Sequence, residues 1–350
     1  MADTVIDEGE PVPPTEDEAR RPPAKRSAWR PVFLALGLLA LVAGGVGLYL
    51  YFFKWRDTWT AHLHVPENAS VAFRADGKQL WLYAPFREQV VAAVEAERGK
   101  EPDTAAKKLV RRIEAETGVD FSELRDVIVA SVDAVSWVVI AAGKFPSSGV
   151  VEGFDRALAA EKITGYARDG NTLSFGKGLT VAQADDGTLI VATTASLALA
   201  ALPASEGVRV PLPVKGAVSF LVNQRAWAGL LALIPPQIPL VGAANAVEQA
   251  SGTLTLGDAP RLEIEIEPKA AAQLESLKKD FDLAQAGLRL LLTFSGPLYG
   301  ARDAIRNATI EVKGGKLVLA GPWPPEGLDE ACKRLADLIR TGGLSWLPTP

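Results

Sequence analysis

A run of 23 residues without a charged side chain, Pro31 to Phe53, constrains the fold of this chain more than any other feature. In a helix these residues would extend about 34 Å, enough to cross a hydrocarbon core of about 30 Å. Aromatic residues lie at both ends of the run, Trp29 on one side and Tyr51 and Trp55 on the other, as is typical of a membrane interface. The pattern predicts one transmembrane helix at 31–53, with these three aromatic residues as the anchor interface.

The charges on the two sides of this run differ. Five basic residues precede it within eleven positions, whereas only Lys54 and Arg56 follow closely. Because basic residues are retained on the cytoplasmic side, this asymmetry predicts a cytoplasmic N-terminus and a periplasmic or other extracytoplasmic main domain. A cleaved signal peptide would instead have a shorter apolar region and a small-residue cleavage site. Met1 is the only methionine and Ala, Gly, Leu, Val and Arg are abundant, which favours a bacterial source and hence a single-pass, signal-anchored protein of the bacterial inner membrane.

The chain as a whole divides into five segments. Residues 1–30 carry acidic and then basic residues interrupted by prolines, and such a segment buries too little apolar area to offset the entropy of ordering. We therefore predict a disordered cytoplasmic tail at 1–30, the transmembrane helix at 31–53 and a connector at 54–65. Two extracytoplasmic α+β units, 66–205 and 206–345, make up the remainder.

The two predicted units share one order of elements. Val218–Asn223 matches Val71–Asp76, and each of these strands is followed by helical segments, a strand pair, a helix and a hairpin. The apolar patterning of the intervening residues predicts the strand pairs, which are 126–132 with 135–145 and 251–257 with 261–267. The predicted fold class is α+β, with two tandem repeated units, largely antiparallel sheets and flanking helices, preceded by one transmembrane helix.

A short motif, Val65-Pro66-Glu67-Asn68-Ala69, leads into the first predicted strand. It resembles the V-P-x-x-A stretch at the start of modules in uncharacterised bacterial membrane-anchored extracytoplasmic proteins of the domain-of-unknown-function type. The resemblance covers about residues 63–205. It implies topology and fold, and it carries no chemistry over to this chain.

Few residues are suited to catalysis or metal binding. His62 and His64 are the only histidines, and in an extended segment they could share one face of a metal or proton site. No third ligand is spaced nearby, so a solvated connector is the favoured interpretation. Cys332 lies in the apolar stripe of a predicted helix, where a free cysteine behaves as a small hydrophobic residue. We therefore predict no catalytic residues, no cofactor and no metal site.

A second charge-free stretch, Ala226 to Val247, departs from an ordinary domain surface. Three central prolines make a second membrane helix improbable, because proline interrupts helical hydrogen bonding. Burial in the core is one interpretation, and a partly exposed apolar surface that contacts a ligand or partner is the other. In both cases we predict an irregular apolar turn at 237–241 that leads into a short helix at 242–250. In the second case Ile234, Ile238, Leu240 and Val241 form an apolar binding surface.

These observations predict a membrane-tethered extracytoplasmic binding or scaffold module without evident catalytic chemistry. Its expected partners are the lipid bilayer, through residues 31–53, and an envelope protein or an apolar ligand. The scattered basic residues argue against nucleic-acid binding. Two alternatives stay open, an envelope enzyme such as a hydrolase that uses carboxylates alone, and a lipid-binding protein. The sequence does not predict an oligomeric state.

Overall fold

The computed structural model describes residues 55–57, 60–101, 104–120, 123–133, 135–176, 178–203, 210–231, 239–291, 300, 303–304 and 307–341. All of them belong to one compact unit. Their strands form a single 13-stranded sheet in the order β12-β13-β11-β10-β9-β2-β3-β4-β8-β7-β6-β5, with β1 paired to β4. Every one of these pairings is antiparallel.

The strands are β1 (Trp55–Asp57), β2 (Val71–Asp76), β3 (Leu124–Ser131), β4 (Trp137–Pro146), β5 (Tyr166–Asp169), β6 (Thr172–Phe175), β7 (Thr180–Gln183), β8 (Leu189–Ala192), β9 (Val218–Asn223), β10 (Val247–Thr255), β11 (Arg261–Pro268), β12 (Thr309–Lys313) and β13 (Lys316–Pro322). The helices are α1 (Gly77–Leu82), α2 (Ala92–Gly99), α3 (Ala105–Thr117), α4 (Val150–Ala160), α5 (Ala195–Ala201), α6 (Gln224–Leu231), α7 (Pro239–Ala246), α8 (Leu274–Leu291) and α9 (Pro325–Arg340). A π-helix, Phe86–Val91, precedes α2, and 3-10 helices occupy Ala61–His64 and Ala271–Gln273.

The prediction of two repeated units with sheets of their own is wrong. Strands from both predicted units, 66–205 and 206–345, belong to one sheet, and β2 pairs directly with β9 at its centre. The physical reason is that both strands have a second edge whose backbone groups need hydrogen-bond partners. Each leaves a row of backbone N–H and C=O groups on the side away from its hairpin partner, and mutual pairing removes both open edges.

The structure also contradicts the predicted single-pass, signal-anchored topology. Within the described ranges, no helix has both the length and the apolar composition that a membrane crossing needs. The longest, α8, has 18 residues and includes Glu275, Lys278 and Asp282, so only one of its faces is apolar. The predicted span at 31–53 and the tail at 1–30 lie outside the described residues.

Helices cover the two faces of the sheet in different places. We call the side that carries Phe73 the front face and the side that carries Arg74 the back face, since neighbours along a strand project to opposite sides. Residues directly opposite each other in paired strands share a face. The registers of the strand pairs therefore assign each side chain of the sheet to one face.

At the β12 end of the sheet the front face is covered. Ile266 of β11 and Leu317 of β13 are buried beneath Leu277 of α8, and α6 and α7 add side chains to the same cluster. On the back face β11 carries Glu263 and Glu265, which are at least partly exposed. This alternation is typical of an antiparallel sheet with one solvated face.

At the β5 end the front face is covered by α4. Leu173 of β6 is buried against Val151 and Leu158 of that helix. Leu189 of β8 is buried beside Val150, the first residue of α4. The front face is therefore closed at both ends of the sheet, by α4 on one side and by α6, α7 and α8 on the other.

The middle of the sheet is covered on its back face. Ile128, Ile140 and Ile190 of β3, β4 and β8 are fully buried and pack with Leu197 of α5 and Ala61 of the 3-10 helix. On the front face of this middle region, apolar side chains project from β9, β2, β3 and β4. That part of the front face lies between the two groups of helices, and it is the candidate site.

Candidate binding surface

A row of five apolar side chains crosses the middle of the front face. The registers place Phe220 opposite Phe73, Phe73 opposite Val129, Val129 opposite Val139, and Val139 opposite Val191. These residues come from β9, β2, β3, β4 and β8, so the row extends roughly 19 Å at about 4.8 Å per strand. We call this row and the two beside it the central apolar face. The row on one side adds Val71, Val222, Trp137 and the buried Ser131, whose hydroxyl donates to the Asp133 carbonyl oxygen. The row on the other side adds Val218, Ala75 and Val127, and it ends at Ala141, which packs with Val150 of α4.

The side chains of this face are accessible. Phe73 is 46% exposed, Trp137 38% and Val139 36%, although all three belong to strands in the interior of the sheet. Val129 and Phe220 are partly buried. Single exposed hydrophobic residues are common on proteins, but a contiguous apolar face is typical of an interaction site.

The two phenylalanine rings form the most prominent part of the face. Their centroids lie 6.3 Å apart and the ring planes are tilted by 39°. Phe220 leans over Gly252 of β10, where an added Cβ would lie 2.5 Å from Cε1 of the ring. The absence of a side chain at Gly252 therefore lets the ring lie flat against the sheet.

The buried side of the same strands carries charge. Arg74 of β2 projects to the back face, where it is 4% exposed. Its Nη2 donates to Asp76 Oδ2 at 3.2 Å and its Nη1 to the Val214 carbonyl oxygen at 2.9 Å. Its Nε lies 2.7 Å from Asp126 Oδ1, an ion pair whose angle departs from that of a hydrogen bond. In β2, therefore, the polar side chains of Arg74 and Asp76 point inwards, whereas the largest apolar side chain, Phe73, points to solvent.

Asp126 is the most perturbed member of this charged cluster. Burial raises the pKa of its carboxyl group from 3.8 to about 6, against the lowering effect of Arg74, and Asp76 adds to the rise. A carboxyl group with a pKa near 6 suits acid–base catalysis. Asp126 is completely buried, however, so no substrate can reach it in the folded protein. Its position supports a structural role behind the central apolar face.

His64 is also a buried group, and not part of a solvated connector as its sequence context favours. It is 0% exposed, with Nδ1 2.7 Å from the Ala201 carbonyl oxygen and Nε2 3.0 Å from Asp186 Oδ2. Burial would raise the pKa of Asp186, but hydrogen bonds from His64, Thr60 and the Thr188 backbone hold it well below its usual range. Both ring nitrogens are occupied, so His64 joins the 3-10 helix to the β7–β8 turn and has no atom free for chemistry.

The remaining titratable candidates also have structural explanations. Cys332 of α9 is partly buried, and burial together with the nearby Asp329 raises the pKa of its thiol, which lowers its reactivity. Asp133 accepts hydrogen bonds from the backbone of Val135 and from Ser136 in the β3–β4 turn. In the part of the chain that the structure describes, no group of three or more His, Cys, Asp or Glu side chains is placed to hold a metal ion.

The predicted site residues have different outcomes. Ile234 and Ile238 lie outside the described residues, whereas Leu240 and Val241 belong to α7. The predicted turn at 237–241 and helix at 242–250 are shifted, because the helix begins at Pro239, a residue that suits the first turn, and Val247 already starts β10. Of the predicted anchor residues, Trp29 and Tyr51 lie outside the described residues, and Trp55 begins β1, paired with Pro146 of β4.

The prediction from sequence missed the central apolar face. The signal was present in β2, whose sequence is Val-Ala-Phe-Arg-Ala-Asp. Its residues point to the two faces of the sheet in turn, so either the face with Phe73 or the face with Arg74 could be the buried one. An antiparallel strand with one solvated face normally points its larger apolar residues inwards. Here Ala72 and Arg74 point inwards instead, and Phe73 points outwards. The inward position of Arg74 is accompanied by three partners, Asp76, Asp126 of β3 and the Val214 carbonyl oxygen.

No family model and no curated protein matches the chain. A solved structure titled "Structure of crystal form I of TP0453" is 12% identical in sequence, and the match covers 80% of this chain and 98% of that chain with a TM-score of 0.37. A likeness at this level carries no argument about fold or function. The resemblance inferred from residues 65–69 therefore stays a prediction.

Proposed function

We propose that the protein is a binding module, without catalytic chemistry of its own, that holds an apolar partner against the central apolar face. The observation that carries the proposal is the apolar row from Phe220 to Val191 in the interior of the sheet, in which Phe73 and Val139 are exposed and the other three side chains are partly buried. Contact with an apolar partner removes this hydrocarbon surface from water, and the transfer is favourable in proportion to the area buried.

The construction of the site supports a preformed binding surface. The backbone of the central strands is fully engaged in sheet hydrogen bonds, and the side chains behind it form a buried core. Branching at Cβ restricts the side-chain conformations of valine, so Val129 and Val139 lose little freedom when a partner binds. A surface of this kind is rigid before the partner arrives, as most ligand sites are.

Nile red, a neutral dye that fluoresces in apolar surroundings, tests the proposal. The full chain is titrated in detergent-free buffer beside two variants, Phe73→Asp on the central apolar face and Val312→Asp on the edge strand β12. Val312 is a matched control because it is 38% exposed on a strand of the same sheet but outside the face.

We expect saturable dye binding that Phe73→Asp abolishes and Val312→Asp leaves intact. Circular dichroism of the three proteins establishes that each is folded. Equal dye binding by all three proteins would contradict the proposal, because the dye would then bind elsewhere.

A further inference from the structure

We infer that the occupant of the central apolar face is the hydrocarbon chain of a lipid. The inference rests on the proposed function, and it names the chemical class of the partner. Three properties of the face support it, namely its area, the absence of polar side chains from its central row and its recessed position.

The area is too small for a stable protein interface. Five strands span roughly 19 Å across the face and three rows of side chains roughly 14 Å along it, or on the order of 300 Å². A stable protein–protein interface buries about 800 Å² on each partner. The face therefore suits a small ligand better than a folded protein.

The chemistry of the face offers no hydrogen-bonding side chain in its central row. Phe220, Phe73, Val129, Val139 and Val191 present only carbon atoms, and the strands beneath them use their backbone groups in the sheet. An extended peptide laid on this row would bury backbone N–H and C=O groups without partners, which is costly. A hydrocarbon chain has no such groups, so its burial on this row does not incur that cost.

The position of the face disfavours a second copy of this chain. Helix α4 stands on one side and α6, α7 and α8 on the other, each about 10 Å thick. If two copies placed this face against each other, their flanking helices would meet first and would keep the two sheets apart. A flexible chain, in contrast, enters between the helices and lies along the floor.

The aromatic pair would bound such a chain on one side. Phe73 and Phe220 lie with their rings tilted by 39° at the β9 side of the row, whereas the valines of β3 and β4 form a flatter surface beside them. Trp137 lies at the end of β4 where the strand begins and is 38% exposed. A hydrocarbon chain bound on the valines therefore contacts the ring of Phe73 on one side and the ring of Trp137 at the start of β4.

Photolabelling with a diazirine-bearing palmitic acid tests the inference. The full chain is irradiated with this probe in detergent-free buffer, beside Phe73→Asp, Val139→Thr and Val312→Asp. Val139→Thr replaces a methyl group by a hydroxyl at a side chain that is 36% exposed, so it changes the chemistry of the face with little effect on folding. Mass spectrometry then locates the labelled peptides.

We expect labelling of the strand peptides that contain Phe73, Val129 and Val139, competed by unlabelled palmitic acid. Phe73→Asp should abolish this labelling, Val139→Thr should reduce it severalfold and Val312→Asp should leave it unchanged. Labelling that is equal in all four proteins, or that ignores the competitor, would overturn the inference. Nile red binding at the face without palmitate labelling would overturn the lipid chain as occupant and leave the proposed function standing.

Discussion

Phe73 of β2 lies directly opposite Phe220 of β9, and their ring centroids are 6.3 Å apart on the front face of the sheet. The two residues belong to segments that align in sequence, Val71–Asp76 and Val218–Asn223. Because they are adjacent strands of one sheet, the pair joins the two halves of the chain and also forms part of the exposed apolar surface. The side chains of Phe73 and Phe220 thus take part both in the contact between β2 and β9 and in the candidate binding site.

The two faces of β3 should differ in their contribution to stability. Ile128 is fully buried on the back face, whereas its neighbour Val129 is partly buried on the front. We expect Ile128→Ala to lower the free energy of unfolding by about 2–5 kcal/mol, as core truncations do, and Val129→Ala by less than about 1 kcal/mol. Urea unfolding measures both, and a larger loss for Val129→Ala would show that the front face is covered.

Gly252 provides a test of the position of Phe220. An alanine there would place its Cβ 2.5 Å from the ring and 3.0 Å from the Glu263 carbonyl oxygen, so the ring must move. We expect Gly252→Ala to lower the free energy of unfolding by about 1–3 kcal/mol, as overpacking does, and to weaken Nile red binding. Gly99→Ala, at the end of α2, has open space around its Cβ and serves as the control for dye binding. Unaltered dye binding by Gly252→Ala would mean that the ring position is unimportant.

Asp126 should make stability depend on pH. Its pKa is about 6 in the folded protein and 3.8 ordinarily, so between these values the unfolded chain has lost a proton that the folded chain keeps. The free energy of unfolding therefore falls as pH rises from about 4 to about 6, by on the order of 3 kcal/mol, and this contribution is constant above that window. Asp126→Asn removes the titrating group.

The comparison of Asp126→Asn with the natural sequence isolates this effect. We expect the variant to gain stability relative to the natural protein as pH rises from 4 to 7, when urea midpoints are measured at each pH. Asp133→Asn, in an exposed turn, should show no such gain. Parallel pH profiles for the natural protein and Asp126→Asn would contradict the raised pKa.

Several elements could be predicted from the sequence because their patterns are local. The predicted strand pair 126–132 with 135–145 is observed as Leu124–Ser131 with Trp137–Pro146, and the pair 251–257 with 261–267 as Val247–Thr255 with Arg261–Pro268. Short turns and alternating residues determine such hairpins within a few positions. The pairing of β2 with β9 depends on residues far apart in the chain, and no local pattern specifies it.

The candidate site could not be predicted because the usual rule for burial fails in β2. Arg74 and Asp76 are buried while Phe73 is exposed, and the partners of Arg74 come from three segments, namely Asp76 on its own strand, Asp126 on β3 and the Val214 carbonyl oxygen. His64 illustrates the same limitation, since its partners Ala201 and Asp186 lie far along the chain. Polar burial of this kind depends on tertiary partners that a single sequence does not reveal.

His64 should contribute to stability and not to binding. Its removal leaves the Ala201 carbonyl oxygen and Asp186 without their imidazole partner, so we expect His64→Ala to lower the free energy of unfolding by about 1–3 kcal/mol. Nile red binding to the folded variant should be unchanged, because the 3-10 helix packs against the back face. His62→Ala in the same helix is the control for the general effect of substitution. Loss of dye binding by folded His64→Ala would link this residue to the site.

The rate at which an introduced cysteine reacts with a small water-soluble maleimide tests most directly whether the central apolar face is open and binds a partner. In a Cys332→Ala background, cysteine is placed on the face by Val139→Cys, on the exposed edge strand by Val312→Cys and in the core by Ile140→Cys, which is fully buried in the natural protein. We expect that Val139→Cys reacts nearly as fast as Val312→Cys, that palmitic acid protects only Val139→Cys, and that Ile140→Cys is unreactive in the folded protein. A Val139→Cys thiol as unreactive as Ile140→Cys would contradict an open face, and equal protection of Val139→Cys and Val312→Cys would contradict a specific site.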